Sequence, residues 1–67
     1  MKFLTVYTQP PNKPKQREAI TQIRFAWFPD EEDWKEVARL CRIPEERVVH
    51  GRRARIGGEP SYLLIVI

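Results

Sequence analysis

The segment Ser61-Tyr62-Leu63-Leu64-Ile65-Val66-Ile67 carries no charge, and both of its alternating sets are apolar, Tyr62/Leu64/Val66 as much as Leu63/Ile65/Ile67. A strand of that composition has two faces to bury rather than one. Lys2 to Thr8 has a similar character, with Phe3, Thr5 and Tyr7 alternating with Leu4 and Val6, and reads as a second such strand. One helix covers only one face of a sheet, so the uncovered face is expected to bury itself against something. A second copy of the chain is the simplest candidate, which predicts a homodimer.

The need for outside help also follows from size. At 67 residues the chain is one domain, 1–67, smaller than a single core comfortably stabilises without a metal, disulfides or a partner. Cys41 is the only cysteine and His50 the only histidine, which excludes an internal disulfide and a Cys/His zinc set. No cofactor or metal site is expected. The start is too short and polar for a signal sequence and no apolar run reaches spanning length, so a soluble, cytoplasmic protein without membrane contact is expected.

Between the two apolar strands lie a loop, a strand and a helix. Residues 9–17 form a stiff basic loop, because Pro10, Pro11 and Pro14 can neither donate to a ladder nor continue a helix. Ile20 to Phe28 places Ile23, Phe25 and Trp27 on one face and Gln22, Arg24, Ala26 and Phe28 on the other, as a strand does. A helix is predicted over residues 31–42: Asp30 suits the N-cap with Asp33 three residues on, and Trp34, Val37, Ala38 and Cys41 recur on one side.

The segment after Pro44 reads two ways. As strands, Val48 to Ile56 and Ser61 to Ile67 pair around Gly57-Gly58-Glu59-Pro60. The chain is then an α+β fold in ββαββ order, a four-stranded, mainly antiparallel sheet with one helix on one face. As a helix, Pro44 to Val48 would open the second limb of a helix-turn-helix, whose spacing Val37, Ala38, Cys41, Ile43 and Val48 share. Against that, Arg42 stands where the motif has its turn glycine, Gly51 where it wants an apolar residue, and Val48-Val49 favour a strand. The hairpin is the favoured reading.

Charge is segregated along the sequence. Lys2, Lys13, Lys15 and Arg17 have no acid among them, Asp30-Glu31-Glu32-Asp33 dominates the middle, and six of the eight arginines lie between Arg39 and Arg55. In the hairpin reading Arg53 and Arg55 share a strand face with Val49, while Val48, His50, Arg52, Ala54 and Ile56 share the other, unless Gly51 is a bulge that resets the register. A row of guanidinium groups suits phosphates. The candidate nucleic-acid contacts are Arg52, Arg53 and Arg55, with Lys13, Lys15 and Arg17 as a mobile second contact. Solvated strand positions or internal pairing with Asp30 to Asp33 would explain the same arginines.

Three functions are therefore weighed. The first is a small non-enzymatic nucleic-acid-binding or regulatory module. The second is a protein-interaction module or small inhibitor of the phage or mobile-element type, which would present Tyr7, Trp27, Asp30 and Asp33 to a larger protein. The third is a ribonuclease. The stretch from Arg47 to Ile67, with its arginines, glycine turn and apolar strand from Tyr62, resembles the closing strands of small bacterial toxin ribonucleases. That resemblance spans less than a third of the chain, and the preceding helices and basic positions of those families are missing, so no residue roles carry over. His50 lacks an identifiable acid–base partner, and no catalytic residue is assigned.

Overall fold

The computed structural model describes residues 2–26 and 29–67. Strands β1 (Lys2–Gln9) and β2 (Glu18–Phe25) form one hairpin, and β3 (Val48–Ile56) and β4 (Glu59–Val66) form another. Between them run a 3-10 turn (Glu31–Asp33), helix α1 (Trp34–Leu40) and a second 3-10 turn (Glu45–Arg47). The result is an α+β fold with one four-stranded sheet and one α-helix. No helix of the described residues is long and apolar enough to cross a membrane.

The sheet order is β2-β1-β4-β3, and its central pair, β1 and β4, is parallel, which corrects the expected antiparallel character at the middle of the sheet. The connection explains this. Helix α1 returns the chain from the end of β2 to the opposite end of the sheet, where β3 starts, so β2 and β3 run the same way and their hairpin partners must too. The two strands that are apolar on both faces take the two central places. Their more polar partners take the edges.

Strand β3 overturns the helix-turn-helix alternative. After Pro44 there is only the 3-10 turn Glu45–Arg47 before the β-branched Val48-Val49 enters the sheet. The helix is also shorter than the predicted 31–42. It opens as a 3-10 turn, where the Asp30 N–H donates to Asp33 Oδ2 at 2.8 Å, and it closes after Leu40. There the Ile43 N–H reaches the Ala38 carbonyl (2.9 Å) and the Arg42 N–H the Arg39 carbonyl (3.1 Å), with Arg42 left-handed at φ 59°. This is a Schellman ending with arginine at the position that favours glycine.

Other boundaries move slightly. β2 begins at Glu18 rather than Ile20, and the expected continuation through Trp27 and Phe28 lies outside the described residues. β4 begins at Glu59 because the turn is only Gly57-Gly58, both at positive φ (62° and 81°), the two-residue type that matches strand twist. The 9–17 loop begins one residue later than expected and folds into two successive turns, closed by the Lys13 N–H on Pro10 O and the Gln16 N–H on Lys13 O.

The core lies between α1 and one face of the sheet. Val37 and Ala38 meet Val6, Val48, Tyr62 and Leu64, and Ile23, Phe25, Trp34, Cys41, Ile43 and Val66 pack around them half-buried. Contact is closest at Gly51, where a Cβ would stand 2.7 Å from Trp34 Cβ and from the Tyr62 ring edge and hydroxyl. The Tyr62 hydroxyl donates to the Asp30 carbonyl at 3.1 Å, tying the sheet to the start of the helical segment.

The other face has no helix, yet its centre is not open. Leu63 is 1 % exposed and Ile65 6 %. In register beside Leu63 stand Tyr7 on β1 and Arg52 on β3, and beside Ile65 stand Gln9 and His50. Leu63 and Ile65 are thus buried within a single copy, with large side chains in register on both flanking strands.

Candidate nucleic-acid interface

The strand carrying the arginines has a register shift between Val48 and His50, so Val49 is the bulged residue. Gly51, the alternative bulge position, sits instead in regular pairing with Leu64, where the close approach of Tyr62 and Trp34 requires it. The bulge puts Val48 on the same face as Gly51, Arg53 and Arg55, reversing its expected grouping with Ala54, Ile56, His50 and Arg52. It also leaves Val49 half-exposed on the edge strand.

Register then divides the arginines. Arg53 and Arg55 pair with Tyr62 and Pro60 and lie on the helix-bearing face, as neighbours on one side of the strand. Arg52 pairs with Leu63 and lies on the helix-free face. Arg55 donates from Nη1 to the Gly58 carbonyl at 3.0 Å, closing its own hairpin turn, and Arg53 is engaged within the molecule. Arg52 is exposed and has no hydrogen bond or ion pair among the described residues.

Lys13, Lys15 and Arg17 are exposed in the loop that follows Gln9, the residue level with Ile65. The β3–β4 turn lies beyond the Arg55–Pro60 pair at the other end of the sheet. The loop cations are therefore not brought together with Arg52, Arg53 and Arg55. Instead Arg17 lines an open cleft of about 550 Å³ with Arg47, Glu18, Gln9, Gln16 and Ile43. Arg47 is partly committed there, its Nε donating to the Ile67 carbonyl at 3.0 Å.

The helix-free face holds residues that sequence reasoning left out. Phe3 is 63 % exposed, and the Arg24 guanidinium stands over its ring at 5.7 Å from the centroid. Phe3 pairs with Arg24 across β1 and β2, and Tyr7 lies four residues along on the same face. Gln22 donates to the Thr5 hydroxyl at 3.2 Å between them. The signal for this group was the alternation in β1, which puts Phe3 with Tyr7 once a partner strand supplies arginine opposite.

Carboxylates are distributed the other way. In the sheet only Glu59, at the hairpin tip, shares the face of Arg52. Glu18 pairs with Thr8 on the helix side, and the remaining acids belong to the helical segments. Asp30 and Asp33 serve the helix start; with Glu31 and burial they push the Tyr62 hydroxyl up to about 12, burial contributing most. Trp27 lies outside the described residues, whereas Tyr7 is half-buried on the helix-free face.

The remaining reactive groups offer less. Burial pushes the half-buried Cys41 thiol up, which disfavours the nucleophilic thiolate. His50 Nδ1 is buried with no hydrogen-bond partner among the described residues. Among the described residues no group of three His, Cys, Asp or Glu side chains could hold a metal ion. In comparisons with known proteins, no family model, curated protein or solved structure matches the chain.

Proposed function

We propose that this chain is a small non-enzymatic nucleic-acid-binding module whose contact surface is the helix-free face of its sheet. One observation carries the reading: Arg24, Arg52, Phe3 and Tyr7 share that face while all carboxylates but Glu59 lie elsewhere. Arginines without an internal acid meet phosphates, and the exposed Phe3 ring, with the half-buried Tyr7 beside it, meets bases. The hairpin arginines expected from the sequence are thereby divided, Arg52 serving the ligand and Arg55 its own turn.

The test is affinity for labelled nucleic acid over a range of salt. Arg24→Gln with Arg52→Gln should weaken binding and flatten its salt dependence, whereas Arg53→Gln with Arg55→Gln should do much less. Equal losses from the two pairs, or binding indifferent to salt, would refute the assignment to this face. A second reading, a module that docks on a basic protein through its acidic turn, is favoured by the exposure of Glu31 and Glu32 beside Asp30. Charge reversal at those three positions would abolish such a complex and leave nucleic-acid binding intact.

A further inference from the structure

We infer that the ligand of the helix-free face is a single strand with unstacked bases, not a duplex; the inference rests on the nucleic-acid reading above. Phe3 and Tyr7 are four residues apart on one strand, which at about 3.3 Å per residue separates them by roughly 13 Å. Stacked bases of one strand are only about 3.4 Å apart along a duplex axis. Phe3 is 63 % exposed with Arg24 over its ring, and Tyr7 is half-buried; rings at this wider spacing suit bases that have been splayed from one another. A duplex offers no such faces, since its bases are stacked on both sides and present only their edges to the grooves.

The cations agree with this. A duplex lies across a protein through many phosphate contacts on two ridges, but the basic groups here are dispersed, Arg53 and Arg55 behind the sheet and Lys13, Lys15 and Arg17 beyond its far end. Arg24 and Arg52 are the two arginines of the face itself, one on each outer strand, with the aromatic residues on β1 between them. That arrangement tracks one backbone. With two phosphates neutralised, the slope of log affinity against log salt for a single strand is about −1.4.

Full-length protein would be titrated against labelled oligomers of roughly 12 nucleotides: oligo(U), oligo(dT) and a blunt duplex. The single strands should bind at least about tenfold tighter than the duplex, with the shallow slope given above. Phe3→Leu, which keeps an apolar side chain and removes the ring, should weaken the single strands by about tenfold, and Phe3→Trp should restore their affinity. Either polymer satisfies the inference, and comparing them identifies which sugar is accepted. Duplex binding that equals or exceeds single-strand binding, or a Phe3→Leu variant with full affinity, overturns it while sparing the nucleic-acid reading. Failure of all three ligands to bind overturns both.

Discussion

Replacing Gly51 with alanine adds one methyl group at the most crowded point of the fold. The new Cβ would lie 2.7 Å from three atoms: Trp34 Cβ, Tyr62 Cε2 and the Tyr62 hydroxyl. Neither neighbour yields easily. Trp34 Cβ is fixed to the backbone of α1, so the helix itself would have to lift, and Tyr62 is held from above by its bond to the Asp30 carbonyl. Overpacking of this kind costs about 1–3 kcal/mol, and displacing the hydroxyl adds about 1 kcal/mol for the lost hydrogen bond. We expect a total near 3 kcal/mol, a large share of the stability of a domain this small. In urea the midpoint should fall by roughly 2–3 M with the slope unchanged. Gly57→Ala is the control, because no atom of the described residues lies within 4 Å of its new Cβ and its cost is conformational only, about 1–2 kcal/mol for φ 62°. In the Gly51→Ala background, Tyr62→Leu removes two of the three clashes, so the two substitutions together should cost less than their sum by about 1–2 kcal/mol. A midpoint shift below about 0.5 M for Gly51→Ala, or strict additivity with Tyr62→Leu, would show that the helix does not press on β3 as described.

Further expectations concern the same framework. The Tyr62 hydroxyl is neutral in the folded chain up to about pH 12 but ionises near 10.0 when unfolded. Its contribution is complete below pH 10 and is lost as pH rises through 12, a fall of order 2 kcal/mol; Tyr62→Phe should remove that part of the alkaline loss in denaturant titrations. Arg42→Gly should raise stability by about 1 kcal/mol, since the left-handed backbone at φ 59° costs arginine and not glycine; an unchanged or lower melting temperature would contradict it. Leu63→Ala should cost about 2–3 kcal/mol, at the lower end for a buried leucine because the helix-free face can partly collapse. If that face is sealed within one copy, the melting temperature of the unsubstituted protein will not change with protein concentration, and a clear rise would reinstate pairing of two copies over Leu63 and Ile65.

Much of the fold was legible in alternation alone. Ile23 to Phe25 declares a strand and Val37, Ala38 and Cys41 a helix, because those periods follow from local geometry, while the short apolar runs Phe3 to Tyr7 and Leu63 to Val66 declare strands buried on both faces. The parallel contact of β1 and β4 was not legible, since each hairpin specifies only its own pairing and the docking of two hairpins depends on the path of the helix between them. The bulge at Val49 escaped for a related reason. Val48 and Val49 are chemically equivalent in sequence, and only the demand of the core for Val48 decides which of them is left out. The expectation of a second copy counts apolar positions and does not ask what the adjacent strands carry. Leu63 and Ile65 are already buried within one copy, level with Tyr7 and Gln9 on β1 and with Arg52 and His50 on β3. For the candidate site, Arg52 and Tyr7 were legible, whereas Phe3 and Arg24 required the pairing of β1 with β2.

The central parallel pair sets the order in which this sheet can assemble during synthesis. Of the four strands of this sheet β1 is made first and β4 last, yet they are neighbours, with Val6 beside Tyr62 and Tyr7 beside Leu63. Until β4 emerges, the β1–β2 hairpin has one unpaired inner edge, and Leu4 and Val6 lack the strand that will bury them. At synthesis rates of about 5–20 residues per second, that exposure lasts for seconds, far longer than a hairpin takes to form. The nascent chain must therefore wait, half-built, for its own last strand.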